Sequence, residues 1–174
     1  MNGRQCFGCM LTKNFVQSGF HLSGFTLDMY GNDHPIVIME FPFVYIIAGF
    51  LYRLTGVLVF WGKLISLMAS LGTLIIIHSM MQKKYGKMPA FWGGLFFVFC
   101  PIGMLIRTAY QPDALGVFFM MLALLFLDKW RHSQKWQNIL LFSLSLLMAG
   151  LLKFPLLVPF IPIIVAGYFV HNST

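Results

Sequence analysis

Leu64–Met81 reads LISLMASLGTLIIIHSMM, a run without one Asp, Glu, Lys or Arg, and QKKYGK (residues 82–87) follows it directly. A hydrocarbon layer about 30 Å thick is crossed by about 20 apolar residues in a helix. The run therefore predicts a transmembrane helix whose basic end is held in one headgroup layer. The rest of the composition agrees. Of the 174 residues 59% are hydrophobic and 10% charged, with a mean hydropathy of +0.80. Soluble domains carry about 25% charged residues because their surface must face water. A soluble domain is excluded on that ground. So are a disordered chain and, with three cysteines, an evenly paired disulfide scaffold.

Four further charge-free intervals follow: Met88–Ile106, Ala114–Leu127, Gln137–Leu152 and Phe154–Val170. The fold class expected is all-α and membrane-integral, with five transmembrane helices in residues 64–174. The third interval is short and bounded by Asp113 and Asp128. The fifth carries Pro155, Pro159 and Pro162, which a membrane helix tolerates where neighbours re-satisfy the freed carbonyls. Residues 1–63 contain no span of adequate length and read as an external segment. Within it, Pro42 opens an apolar helix over 43–54, predicted to lie in the interface with Phe43, Tyr45, Phe50 and Tyr52 among the headgroups.

The net charge of +7 would suggest nucleic acid in a soluble protein. Here it reads as topology. Lys83, Lys84 and Lys87 follow the first span, and Lys129, Arg131 and Lys135 follow the third, so both loops are expected on the cytoplasmic side. Parity then puts Asp28, Asp33, Glu40, Arg107, Asp113 and Lys153 on the external side, with no nucleic-acid partner.

That external set holds the candidate chemistry. In Arg107-Thr108-Ala109-Tyr110-Gln111-Pro112-Asp113, Pro112 stops one helix and presets the next. Arg107 offers a planar fork to phosphate oxygens, and Asp113 at a helix start can hold a cation or a proton. The competing reading is a helix cap beside a snorkelling arginine. Glu40, just before Pro42, can bind a divalent ion, act as a base, or simply favour a helix N-terminus. Lys153 interrupts one long apolar run, and an ionisable residue there is either functional or snorkelling. Asp28, Asp33 and His34 match no metal template, and Cys6-Phe7-Gly8-Cys9 has no second pair. Asn172-Ser173-Thr174 is a glycosylation sequon in form. His78 and the small residues Ser66, Ala69, Ser70 and Gly72 read as helix packing.

Taken in order, these features resemble a family. Glu40-Phe41-Pro42 precedes a short aromatic helix. A span ends in Lys83-Lys84-Tyr85-Gly86-Lys87. Arg107 and Asp113 follow with Pro112 before the acid, and a later span ends in Lys153-Phe154-Pro155. The pattern, from about Leu11 onward, resembles the dolichyl- or polyprenyl-phosphate-sugar glycosyltransferases of the C-type membrane fold. Within them it is most similar to the bacterial protein O-mannosyltransferase and lipid A aminoarabinose transferase group.

The resemblance implies a partial C-type core in a bacterial cytoplasmic (inner) membrane, and inverting transfer of a sugar from a polyprenyl-phosphate carrier to a lipid, glycan or protein acceptor outside. It implies Glu40 and Asp113 in the active-site cavity near the carrier phosphate and a divalent metal ion, with Arg107 and Lys153 pairing with phosphate. The oligomeric state is left open. Two departures stand out. The family's general base, an acid early in the first external loop, has no counterpart between Met1 and Leu27, and Phe41 stands where many members have Lys. The chain is accordingly expected to be a fragment lacking a preceding span and later ones. The alternative is a small non-catalytic membrane protein, a transporter half or an assembly factor.

Overall fold

A computed structural model describes residues 3–21, 41–56, 58–158, 160 and 162. Seven α-helices and one 3₁₀ turn are present among them, and no strand. The N-terminal segment supplies α1 (Gly3–Gln17) and α2 (Phe43–Thr55). The bundle is α3 (Leu58–Tyr85), α4 (Lys87–Phe99), α5 (Pro101–Thr108), α6 (Asp113–Ser133) and α7 (Trp136–Leu152), followed by the 3₁₀ turn Phe154–Leu157.

The helix boundaries follow from local chemistry. The α1 helix closes in a Schellman motif. Gly19 takes φ 75°, the Phe20 N–H bonds the Phe15 carbonyl at 3.0 Å, and the two rings meet edge-on at 5.2 Å. Gly56 and Gly86, also at positive φ, end α2 and α3. Pro112 precedes α6, where its missing N–H costs nothing, and Gln134 ends that helix in the left-handed region. Lys83 and Lys84 in the last turn of α3 and Arg131 in the last turn of α6 complement the negative ends of those helices.

The helix over Val59–Tyr85 is long and apolar enough to cross a membrane. The interval expected as one span over 88–106 is instead broken between α4 and α5 by a 63° bend. Pro101 is the cause: it has no N–H for the Phe97 carbonyl, and its ring clashes with that turn. Together the two pieces are long and apolar enough for a broken span or a re-entrant loop. The short third interval lies inside the longer α6. Most of the fifth falls outside the described residues, which place only its start, in the 3₁₀ turn.

Packing is organised by the small residues of α3. Ser66, Ala69, Ser70, Thr73 and Ile76 are its buried face, and the hydroxyls return to carbonyls one turn earlier, so no polar group is stranded. Gly62 lies against the Tyr110 ring and Gly72 against Phe118, close approaches that a Cβ would block. A second core joins α1 and α2 to this bundle: Leu11, Phe15, Val44, Tyr45, Ala48, Tyr110 and Leu152 are all buried. One interfacial expectation is thereby corrected. Tyr45 does not sit among headgroups; it packs edge-on against Tyr110 at 5.5 Å, on the face of α2 that α1 and the bundle cover. Phe50 and Leu54 remain exposed.

Candidate functional site

Three chain segments converge where α6 begins and α7 ends. Asp113 is the first residue of α6, and Lys153 follows the last residue of α7 in extended backbone, with φ −162° and ψ 101°. Pro155 has no N–H for the Leu151 carbonyl, so α7 cannot run on through it, and the chain leaves the helix at Lys153. The extended backbone turns the Lys153 side chain toward Asp113, and the ammonium forms a salt bridge with Oδ1 of the carboxylate. The side chains are 27% and 18% exposed, so the pair is half-buried and reachable. Leu156 of the 3₁₀ turn packs over Gly116 and fixes the turn on the first helical coil of α6. From the third segment, the Phe41 N–H donates to the Leu151 carbonyl at 3.1 Å. The Glu40-Phe41-Pro42 motif is thus tied two residues from Lys153.

Asp113 stands in the first turn of α6 behind the N-cap residue Pro112, and its carboxylate accepts from the Lys153 ammonium. Glu40, Asp28, Asp33, His34 and the sequon at 172–174 lie outside the described residues.

Arg107 is not brought to the pair. Its guanidinium donates to the Phe97 carbonyl at 3.0 Å and to the Val98 carbonyl at 2.5 Å, and lies 5.2 Å from the Phe97 ring centre. These are carbonyls at the end of α4, where Pro101 interrupts the ladder. The arginine closes the bend between α4 and α5, and both hydrogen bonds would have to open before it could serve a phosphate.

Tyr110 is the residue that sequence reasoning missed. It is fully buried beneath the corner. Thr12 spends its single proton on the Gly8 carbonyl at 2.8 Å, so in the Thr12–Tyr110 contact the phenol is the donor. Burial pushes the phenol above the ordinary tyrosine range and keeps it protonated. Its partner lies 98 positions away in the chain, so no local spacing could have exposed the link. An aromatic near the end of a span reads, from sequence, as an interface anchor.

The described residues do not form a metal cage. No three His, Cys, Asp or Glu side chains among them come together, and the carboxylate of Asp113 faces an ammonium. Hard divalent cations take about six or more oxygens. Cys6 and Cys9 are both free, and burial, then the neighbouring Cys6, push the Cys9 thiol up, which disfavours its thiolate.

Comparison with curated proteins returned no match, and comparison with solved structures returned none. A family model does match, that of dolichyl-phosphate-mannose-protein mannosyltransferase, over residues 33–174. The matched region contains α2 to α7 and all three segments that meet at the Asp113–Lys153 pair. With far more than half its length matched, the chain belongs to the dolichyl-phosphate-mannose-protein mannosyltransferase family, a family of membrane-integral glycosyltransferases.

Proposed function

We propose that this chain forms the carrier-phosphate part of a membrane glycosyltransferase, one that moves a sugar from a polyprenyl-phosphate carrier to an acceptor on the external side. The observation that carries the reading is the half-buried salt bridge between Asp113 and Lys153, in a chain with only 10% charged residues. A charge pair is costly next to lipid and is retained where it has work to do.

In the proposed reaction an acceptor oxygen attacks the anomeric carbon from the face opposite the carrier. The bond between that carbon and the phosphate oxygen breaks, and the electron pair leaves with the polyprenyl phosphate. Negative charge grows on the phosphate as the sugar departs. The Lys153 ammonium is the cation we assign to it, and Asp113 holds that ammonium in place before the carrier arrives. The proton released by the acceptor is assigned to Glu40, one peptide unit from the anchored Phe41. Arg107 is assigned to the bend between α4 and α5 rather than to the phosphate. The sugar we assign to the carrier is mannose, and the acceptor is assigned to the external side.

The test is transfer from radiolabelled polyprenyl-phosphate mannose by membranes containing the full chain, scored as label reaching lipid, glycan or protein fractions. Lys153→Met and Asp113→Asn should each cut transfer by about 10²–10³-fold, the usual loss when one group stabilising developing charge is removed. Transfer at the wild-type rate in both variants would reduce the pair to a structural tie. No transfer by the wild type with any acceptor fraction would favour a non-catalytic binding role.

A further inference from the structure

The opposite end of the bundle carries a site that catalysis does not use. The helices α3 and α6 run parallel. Ser66 near the start of α3 donates to the Gln111 carbonyl just before α6 at 3.4 Å, and Gly72 lies against Phe118 midway. Beyond that level the small residues of α3 give way to Ile77 and Met80, facing Met121 of α6, and the helices part around a cavity of about 860 Å³. Its rim holds Lys83, Lys84, Arg131 and His132, with Asp128 as the one acid. Asp128 is engaged by His132 at 3.7 Å. Lys84 has the Tyr85 ring 5.5 Å away, and among the described residues Lys83, Lys84 and Arg131 have no carboxylate partner.

Helix-end charge and orientation in the membrane account for the number of these cations. They do not account for a cavity with an apolar wall and three unpaired cations at its rim. At 1.5 Å per residue, Arg131 lies about 27 Å along α6 from Asp113, close to one hydrocarbon thickness. The rim is therefore at headgroup depth in the other leaflet and the methionine wall at acyl-chain depth. We infer that the C-terminal halves of α3 and α6 bind an anionic phospholipid, its phosphate held by Lys83, Lys84 and Arg131 and an acyl chain lying against Ile77, Met80 and Met121. A free phosphate would satisfy the cations and leave the apolar wall uncovered. A zwitterionic lipid brings its own cation to the same phosphate, which weakens the attraction.

The experiment uses the full chain, purified in detergent, freed of lipid and offered equal amounts of phosphatidylglycerol and phosphatidylcholine, with bound lipid counted by native mass spectrometry. Phosphatidylglycerol should be preferred. Each of Lys83→Gln, Lys84→Gln and Arg131→Gln should lower that preference about five-fold, and the triple variant on the order of a hundredfold. A Lys129→Gln/Lys135→Gln control, on the same face and outside the cavity, should keep the preference. Helix content by circular dichroism accompanies each variant, and the Arg131→Gln result decides if the triple variant fails to fold. Three outcomes overturn the inference: equal uptake of both lipids by the wild type, an equal loss in the control, or complete displacement of the lipid by excess inorganic phosphate. The last would make the cavity a soluble-anion site.

Discussion

Separating Asp113 from Lys153 should cost measurable stability, and the geometry sets how much. Exposed ion pairs contribute about 0–1 kcal/mol. Orphaning one partner of a fully buried pair costs about 3–5 kcal/mol. At 18% and 27% exposure this pair falls between, near about 2 kcal/mol for either single removal. Part of that is returned. The abandoned Asp113 sits in the first turn of α6 and the abandoned Lys153 just past the end of α7, where the helix ends favour a charge of that sign by about 0.3–1 kcal/mol. Asp113→Asn and Lys153→Met should each lose about 1–2 kcal/mol, seen as Tm lowered by roughly 3–6 °C in detergent. The double variant should lose less than the sum, because each single loss includes the cost of the charge left behind. The expected coupling is about 1–2 kcal/mol. The assay is a double-mutant cycle on the full chain by thermal unfolding. Losses that add to within about 0.3 kcal/mol would show that the two side chains do not stabilise one another, and the site would lose its anchor.

Arg107→Gln should leave the Phe97 and Val98 carbonyls short of donors and cost about 1.5–3 kcal/mol, read as faster amide exchange over residues 96–104 with carrier binding unchanged; lost carrier binding with unchanged exchange would return the arginine to the phosphate. Gly62→Ala forces a Cβ into the Tyr110 ring and should destabilise by about 1–3 kcal/mol, whereas Gly94→Ala, with only Leu74 at 3.5 Å, should be neutral or slightly stabilising in the same thermal assay. The Tyr110 phenol is held above its ordinary range in the folded state, so its contribution is complete below pH about 10 and is lost as pH rises beyond that, where only the unfolded phenol ionises. Wild-type Tm should therefore fall more steeply above that pH than the Tm of Tyr110→Phe, and parallel curves would contradict the assignment.

Much of this molecule is legible without coordinates. Long charge-free runs bounded by lysine clusters read as apolar helices, and the run over 64–81 lies in a helix long and apolar enough to cross a membrane. Pro42, Pro112 and Pro155 mark helix boundaries through a local steric rule, and the small-residue face of α3 follows from spacing. Asp113 and Lys153 stood out as charges in apolar text. Their being partners did not, since 40 positions separate them and their meeting depends on the extended backbone at Lys153 and on the packing of α6 against α7. The interval 88–106, Pro101 included, reads from sequence as one unbroken span. The size of the bend and the recruitment of Arg107 to close it were decided by which carbonyls lost their donors in three dimensions. Tyr45 reads as an interface aromatic and is core, packed on Tyr110, because only the docking of α1 and α2 on the bundle determines which face of an amphipathic helix is covered. Sequence determined the apolar runs, the helix-stopping prolines and the placing of the charges, all of which rest on local chemistry; tertiary structure decided which charges meet, because that depends on contacts between residues far apart in the chain.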